Sequence, residues 1–448
     1  MSQAQASELQ PGRAQAGRGG LTMAQSMSMD ALAMYSFVAL GLPDGMIGTA
    51  WPTLRRGFHV PLEDLGFVLL VATAGALASS SVSGLVLGRL GVRATIMVAG
   101  TAGAAGAVGI VLSPAFWVFL ISGTAVGVAS GLIDSAVNTS AALAGRNRLL
   151  NLLHGCYGVG TTIAPLIVTA AVLIGSWRPA YGVVLAVELV LVGGWWLAGR
   201  GQAMSGGGQS EAVAVAANLP APVPHAPVPP GLVSHAPVPH APVPPGPVPA
   251  VGRRLRLALA VTLGLTVFAV YTGLEVTAGQ WEPSFDRGPL HMGAGVTGVA
   301  TFGYWGALTL VRFALAVPRR QFSPAAIVRW GCAISLAGAG VVWWCPSTVA
   351  ALAGLVVIGG ALAGIFPALV VLTPARVGED MARHVIGWQI GAAGLGGSII
   401  SAFSGAVFQH FGLHDFGPAL VTVAAVLALG VVALERTSLV GSARWKSS

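Results

Sequence analysis

Charged side chains are scarce in this sequence. Lys and Arg together number 23 and Asp and Glu number 15 in 448 residues, which is 8% of the chain, whereas a soluble globular protein carries about 25%. Hydrophobic residues make up 54%, more than a globular interior needs when polar groups must also cover the surface. The composition excludes an ordinary soluble protein and predicts a chain surrounded mostly by lipid.

Lysine and cysteine are nearly absent. Arginine supplies 22 of the 23 basic residues, and these are scattered between apolar runs, so the net charge of +8 does not indicate a nucleic-acid partner. The three cysteines, Cys156, Cys332 and Cys345, lie in apolar stretches without a short spacing. An odd count in that setting argues against a disulfide framework or a zinc site.

Enzyme signatures are missing as well. The sequence has no GxSxG elbow, no Walker phosphate loop and no HExxH pair. We therefore expect no enzymatic activity and no cofactor. Without an ATPase domain, any uphill transport must draw on an ion gradient, of protons or of sodium. The start of the chain lacks the layout of a secretory signal, and we interpret residues 1–28 as a disordered cytosolic tail.

Long apolar segments dominate the rest of the chain. A helix needs about 20 mostly apolar residues to cross a membrane, and twelve segments meet this requirement. We number them spans 1 to 12 and predict them at 29–51, 66–88, 93–112, 115–141, 150–174, 178–199, 257–278, 293–317, 326–344, 348–371, 382–408 and 413–437. The expected fold class is an all-α membrane protein with twelve transmembrane helices.

The positions of the basic residues predict the orientation of the spans, because cytoplasmic loops retain Lys and Arg. Eighteen basic residues fall on one side of the twelve-span arrangement, and only Arg55, Arg56, Arg178 and Arg287 fall on the other. We therefore expect both termini in the cytoplasm and a multi-pass protein of the inner (cytoplasmic) membrane.

A Pro-rich segment divides the chain between spans 6 and 7. Residues 201–256 contain the piece His-Ala-Pro-Val-Pro three times, beginning at His225, His235 and His240. Proline tracts favour extended linkers, and weak metal binding by the three histidines is the less favoured alternative because no carboxylate or cysteine joins them. The linker separates an N-terminal half, 29–200, from a C-terminal half, 257–437, which is followed by a tail, 438–448.

The two halves resemble one another. The pattern Gly158-Val-Gly160 in span 5 recurs as Gly394-Leu-Gly396 in span 11, and weaker matches relate spans 4 and 10 and spans 1 and 7. Matches in the same order at similar offsets indicate a duplicated six-helix unit, as in many secondary transporters. The prediction is therefore two pseudo-symmetric six-helix halves.

Ionisable residues far from the ends of a span are functional candidates, since a charge at mid-membrane costs at least about 2.5 kcal/mol. Six residues qualify: Asp44, Asp134, His154, Glu188, Glu275 and Arg312. For Glu188 we favour a packing role. Arg312 lies late in span 8, and an equally acceptable interpretation is that its side chain extends to the cytoplasmic surface.

Two spans carry polar residues at helical spacing. Asp134 and Asn138 lie four residues apart in span 4, and Asn151 and His154 lie three apart in span 5, so each pair occupies one helix face. Such stripes suit a hydroxylated ligand and a proton acceptor. The alternative is that these groups only hold neighbouring helices together.

Asp44 lies in the sequence Gly41-Leu-Pro43-Asp44-Gly45, which we expect to loosen span 1 beside the carboxylate. A carboxylate without a permanent partner suits proton exchange, and permanent pairing with an arginine is the alternative. Glu275, with Gln280 further along span 7, is the corresponding feature of the second half.

These motifs resemble the major facilitator superfamily. Its loop motif between spans 2 and 3 corresponds to Gly84, Arg89, Gly91 and Arg93, and a degraded second copy ends at Arg312. Here Gly88 replaces the aspartate that usually precedes the first arginine, which puts the usual gating charge pair in doubt.

Within the superfamily the chain is most similar to the fucose permease branch of sugar-proton symporters. Further motifs carry this likeness: Asp134-Ser-Ala-Val-Asn138, Asn151-Leu-Leu-His154, Tyr271-Thr-Gly-Leu-Glu275, Gln280-Trp281, Ile365-Phe366-Pro367, Thr373-Pro-Ala-Arg376 and Ile386-Gly387-Trp388-Gln389. The resemblance implies proton coupling and sugar binding at Asp44 and Asp134. The family's fifth-span amide is replaced by His154, so the solute and the proton path can differ from those of the fucose transporter.

The resulting hypothesis is a proton-coupled importer of a sugar or similar small polar solute that works by alternating access. We assign proton coupling to Asp44, Asp134, His154 and Glu275. Solute contacts are assigned to Asp44, Asp134, Asn138, Asn151, His154, Glu275, Gln280 and Gln389. The expected partners are the solute and the lipid bilayer, with no nucleic acid, and we expect a monomer. The alternatives are a proton-driven exporter of drugs or metabolites and a membrane solute sensor.

Overall fold

The computed structural model describes residues 11–144, 146–204, 250–315, 322–345 and 347–437. Within these ranges the side chains of residues 11–28, 147, 148, 151, 201–204, 250–254 and 383 lie outside the description. The described chain consists of helices and short connections and contains no strand. The helices are Pro11–Phe58, Asp64–Leu112, Phe116–Leu143, Asn147–Leu173, Arg178–Met204, Ala250–Arg287, Ala294–Leu315, Pro324–Trp344, Thr348–Leu362, Ile365–Val377, Glu379–Phe411 and Phe416–Arg436.

These helices correspond to the predicted spans. Eleven helical segments of the described chain are long and apolar enough to cross a membrane. One of them, Asp64–Leu112, has 49 residues and is interrupted at Gly91, whose backbone has φ 73° and ψ 168°. Because about 20 residues cross a bilayer, this stretch supplies spans 2 and 3, and the prediction of twelve spans is confirmed.

The first helix starts earlier than the predicted span 1. It begins at Pro11, within the segment predicted as a tail, while residues 1–10, the greater part of the linker at 205–249 and the end of the chain at 438–448 lie outside the described residues. Span 10 consists of Thr348–Leu362 and Ile365–Val377, which are separated by a short turn.

Large apolar side chains cover the outside of the bundle. Leu112, Ile121, Leu173, Phe403 and Leu429 are each at least 63% exposed. In water such a surface would be unfavourable, but hydrocarbon solvates it. The exposed apolar surface identifies the chain as a multi-pass membrane protein.

The two halves meet along three pairs of spans. Gly48 of span 1 lies against Gln280 of span 7. Thr162 of span 5 and Thr309 of span 8 are joined through their hydroxyls, 3.0 Å apart. Spans 2 and 11 form the third pair, which is the counterpart of spans 5 and 8 in the duplicated arrangement.

Spans 2 and 11 diverge along their length. At one end the backbone N–H of Leu62 donates to Oε1 of Gln409 over 2.9 Å, and a Cβ placed on Gly66 would lie only 2.4 Å from Cα of Ala402. Halfway along, the hydroxyls of Thr73 and Ser398 are 2.5 Å apart.

Beyond that point the two helices separate. A Cβ placed on Gly394 would lie 3.9 Å from its nearest neighbours, and Gly391 and Gly387, further along the same face of span 11, would meet nothing within 4 Å. We call the end at which span 1 begins and span 6 ends the linker face. Along spans 2 and 11 the halves are therefore in contact at the opposite face and apart at the linker face, whereas spans 5 and 8 still touch towards the linker face, where Gly155 lies against the ring of Phe313.

Candidate functional site

Asp44 lies midway along span 1, which packs directly on the backbone of span 5. A Cβ on Gly41 would lie 2.1 Å from the carbonyl oxygen of Tyr157, and one on Gly45 would lie 2.4 Å from that of Thr161. The glycines on either side of Asp44 thus allow close packing, and span 1 stays helical through Pro43. The expectation of a loosened helix at this point was wrong.

The close packing of spans 1 and 5 brings Tyr157 next to the carboxylate of Asp44. Tyr157 Oη donates a hydrogen bond of 2.7 Å to Oδ2 of Asp44, and Gln280 of the other half donates through Nε2 to the backbone carbonyl of Asp44 over 2.8 Å. Asp44 retains exposed surface although its neighbours Leu42 and Met46 are buried. Its side chain therefore faces the space between the halves.

Glu275 of span 7 is the centre of a second group of polar side chains. Tyr271, one turn earlier, donates to Oε2 of Glu275, and Nη2 of Arg312 lies 3.3 Å from the same oxygen. Tyr304 donates to the backbone carbonyl of Glu275 over 2.8 Å. Residues four apart share one helix face, so the Tyr271–Glu275 pairing follows directly from the sequence spacing.

Arg312 points towards the middle of the bundle. Besides Glu275, it donates through Nε to the carbonyl of Ala363 over 3.4 Å. Side chains in a helix lean towards its N-terminus, which for span 8 means away from the linker face. The observed pairing is therefore with Glu275, in place of the extension to the membrane surface considered from the sequence.

The two groups form one cluster across the interface between the halves. Tyr157 lies within electrostatic range of Glu275 and Arg312 as well as of Asp44, and His154, one turn before Tyr157, lies within range of Arg312; at this level Thr309 of span 8 donates to the backbone carbonyl of Gly158 in span 5 over 3.0 Å. The ring of His154 also lies edge-on to Phe37, with ring centres 5.8 Å apart. We call the six side chains of this group the central cluster: Asp44, His154, Tyr157, Tyr271, Glu275 and Arg312.

Asp134 and Asn138 form a separate pair on span 4. Asn138 Nδ2 donates to Oδ1 of Asp134 over 2.9 Å, as the four-residue spacing predicts. Asn138 Oδ1 is buried and has no hydrogen-bond partner among the described residues. The described contacts do not join this pair to the central cluster. Asn151 is on the span 5 helix, but its side chain lies outside the description.

The two predicted glutamines occupy different places. Gln280 bridges the halves beside Asp44. Gln389 is buried inside the C-terminal half, where its Oε1 accepts from Thr373 over 3.0 Å. The predicted set of solute contacts is thus brought together only in part. Glu188 is buried in span 6 against Gly100 and Gly103 of span 3, a location that matches a packing role.

The loop motif lies at the linker face. Gly84 and Arg89 are exposed, and Gly91 marks the break between spans 2 and 3. Arg93 donates through Nε and Nη2 to the backbone carbonyls of Trp195 and Trp196 in span 6, each over 2.9 Å. Arg89 and Arg93, the arginines of the motif in the N-terminal half, therefore lie at the loop. Arg312, which ends the second copy of the motif in the C-terminal half, belongs to the central cluster.

Sequence reasoning missed the tyrosines. The chain has only five, and three of them, Tyr157, Tyr271 and Tyr304, donate hydrogen bonds to the side chain or backbone of Asp44 or Glu275. A phenol hydroxyl in an apolar helix needs a partner, just as a charge does. Two features of the sequence could have identified them. Tyrosine is scarce in the chain, and Tyr271 and Tyr157 lie one helical turn from Glu275 and His154.

Metal binding has no support within the described part of the chain, where no group of three or more His, Cys, Asp or Glu side chains is arranged to hold an ion. The three repeated histidines of the linker fall on residues 205–249 and lie outside that part.

Comparison with known proteins gives consistent results. Residues 33–401 match the family model of the Major Facilitator Superfamily. Among solved structures, a D-xylose-proton symporter superposes with a TM-score of 0.66 at 14% identity, covering 90% of this chain and 97% of that one. The nucleoside transporter NupG gives 0.64 at 14% identity, covering 92% and 99%. The E. coli fucose:proton symporter gives 0.55 at 14% identity, covering 91% and 98%.

One curated relative matches over a shorter region. "Bypass of stop codon protein 6" of Saccharomyces cerevisiae is 29% identical over 146 residues, which is 32% of this chain and 29% of the yeast protein. The chain therefore matches less than a third of that protein's length.

Proposed function

Because this chain belongs to the major facilitator superfamily, we propose that it is a secondary active transporter that imports a sugar or similar small polar solute together with protons. The observation that carries the proposal is the central cluster, in which charged and hydroxyl groups from both halves meet midway along otherwise apolar spans. Buried charges in a membrane are costly and are usually kept for function. Solved structures of the same fold include the xylose and fucose proton symporters named above.

The arrangement of the halves supports alternating access. At the face opposite the linker they are held together by the contacts of Leu62, Gly66 and Thr73 with span 11, and spans 2 and 11 are apart at the linker face. We place the protein in the cytoplasmic membrane as a monomer. Its linker face then lies on the cytoplasmic side, as the arginine distribution predicts. The described state is then inward-open, with Asp44 facing the open space.

The carboxylates of the two halves have different partners, which suggests different roles. Glu275 is paired with Arg312, whereas among the described residues the only side-chain hydrogen bond of Asp44 is with the hydroxyl of Tyr157. A carboxylate without a counter-charge is suited to gaining and losing a proton, so we assign proton coupling chiefly to Asp44. The Glu275–Arg312 pair, Tyr271 and Gln280 offer donors and acceptors to solute hydroxyls.

Uptake in proteoliposomes tests the proposal. A panel of sugars and polyols is screened for uptake driven by an imposed proton gradient, with lipophilic cations as the comparison. We expect Asp44→Asn to abolish gradient-driven uptake while exchange of solute across the membrane persists. Glu188→Gln is the matched control, because it neutralises a buried carboxylate outside the cluster, and it should keep uptake.

Three outcomes contradict the proposal. Wild-type gradient-driven uptake by Asp44→Asn removes the assigned role of that residue. Binding of lipophilic cations with no response to any sugar or polyol argues for a drug exporter of the same fold, and binding of a solute without flux argues for a sensor.

A further inference from the structure

A small polar cavity lies between the halves, near the face opposite the linker. Its volume is about 10 Å³, and it is lined by Thr49 of span 1, Thr169 and Val172 of span 5, Arg287 at the end of span 7, and Ala294 and Thr297 at the start of span 8. Both halves therefore contribute to its wall, which includes three threonines and one arginine.

The three threonine hydroxyls of this cavity have no hydrogen-bond partner among the described residues. Thr49, Thr169 and Thr297 are 6%, 8% and 1% exposed, and none of their Oγ1 atoms forms a hydrogen bond within the described chain. Other threonines in the spans bond back to a carbonyl one turn earlier, as Thr301 does to Thr297 and Thr162 does to Gly158. The cavity threonines forgo this bond, although a buried hydroxyl without a partner is unfavourable.

We propose that this cavity is a binding site for one ordered water molecule, held by the hydroxyls of Thr49, Thr169 and Thr297 and by the Arg287 guanidinium. A cavity needs roughly 10–15 Å³ of such volume and two to four polar partners to hold one water. This one has a volume of about 10 Å³, and its lining includes three threonines with unpartnered hydroxyls and one arginine.

The water links the two halves at their closed end. Thr49 and Thr169 belong to the N-terminal half, and Thr297 and Arg287 belong to the C-terminal half, so separation of the halves at this face dismantles the site. Its hydrogen bonds therefore stabilise the state that is open at the linker face. This second step rests on the proposed alternating access, whereas the presence of the water does not.

The water is tested on the full-length protein in lipid nanodiscs. A structure at a resolution that shows ordered solvent should contain one peak at hydrogen-bond distance from the three hydroxyls. In Thr297→Val, which keeps the side-chain shape, the peak should be lost. Thr301→Val is the matched control, since it lies one turn further along span 8 and its hydroxyl is satisfied by a backbone carbonyl. No peak, or a peak with the density and longer contacts of an anion, overturns the site.

The conformational step has its own readout. After replacement of the three native cysteines, spin labels at Ile174 and Val349, which are 78% and 76% exposed on different halves, report the distance across the closed face. Thr297→Val should raise the ratio of the outward-open to the inward-open population roughly two- to ten-fold, the factor of one net hydrogen bond. Thr297→Ser should restore the ratio.

The two steps fail separately. A distance distribution of Thr297→Val identical to that of the wild type rejects the linking role while the water peak still stands. If the water peak and the population shift are observed but the protein transports no solute, the water site stands and the proposed function is rejected.

Discussion

At the scale of single residues, the hydroxyl of Tyr157 is the most direct test of the central cluster, because it is the side-chain partner of Asp44. In Tyr157→Phe the ring remains and the hydrogen bond to the carboxylate is lost. A hydrogen bond to a charged group contributes about 1.5–3 kcal/mol, so we expect gradient-driven uptake to fall about ten-fold or more. The measurement is initial uptake rate in proteoliposomes.

Tyr35→Phe is the control for that substitution. The hydroxyl of Tyr35 donates to the backbone carbonyl of Val187 in span 6 over 3.0 Å, so the substitution also removes one tyrosine hydrogen bond, at a site outside the central cluster. It should transport at close to the wild-type rate. Equal rates in both variants would remove Tyr157 from the mechanism.

The Glu275–Arg312 ion pair leads to a prediction about stability. Arg312→Gln leaves a largely buried carboxylate, 14% exposed, without its counter-charge, which is more costly than losing both charges. We expect the single variant to unfold at a clearly lower temperature. Glu275→Gln combined with Arg312→Gln should recover part of the loss, with a coupling of about 1–3 kcal/mol. Additive losses in thermal unfolding of the detergent-solubilised protein would show that the two groups do not interact.

The sequence identified Asp44, His154, Glu275 and Arg312, which are all the members of this cluster apart from the two tyrosines, but not their pairing. Asp44, His154, Glu275 and Arg312 were found because ionisable residues are costly in apolar spans. Their partners depend on which helices pack together and at what depth, and one sequence does not contain that information. The Asp134–Asn138 bond was predictable because both residues lie on one helix, whereas the inward direction of Gln389 depends on the packing of span 11 against spans 7 and 10.

At the scale of secondary structure, the predicted spans agree with the helices to within a few residues over most of the bundle, since length and hydropathy are local properties. The exceptions have local causes. Span 1 continues in both directions beyond its apolar core, to Pro11 and Phe58, because a helix does not need to stop where hydrophobicity stops. Spans 2 and 3 form one stretch with a single break at Gly91.

The break at Gly91 gives a prediction at this scale. Its φ of 73° and ψ of 168° lie in a region that is essentially restricted to glycine and costs about 1–3 kcal/mol for other residues. Gly91→Ala should therefore lower the thermal stability of the protein by that amount. Gly88→Ala is the control, because Gly88 is helical and its added methyl would meet no other segment. If both variants melt at the same temperature, the turn does not depend on glycine.

At the scale of the whole molecule, the divergence of spans 2 and 11 predicts which positions can be cross-linked. In a cysteine-free background, Thr73→Cys with Ser398→Cys places two thiols where hydroxyls now lie 2.5 Å apart. Oxidation should join them, hold the closed face shut and abolish uptake, and reduction should restore it, because alternating access requires these spans to separate.

The matched pair is Gly84→Cys with Gly387→Cys, on the same faces near the linker end, where a Cβ on either glycine would meet no described residue of another segment within 4 Å. We expect these thiols not to react in the described state, because spans 2 and 11 have separated at this end and a disulfide needs Cα atoms within about 7 Å. They should join only when the linker face closes, and added solute or a proton gradient should change the rate at which they do. If the Thr73→Cys and Ser398→Cys pair is oxidised and uptake is undiminished, the halves do not separate at the face opposite the linker, and solute crosses by another route.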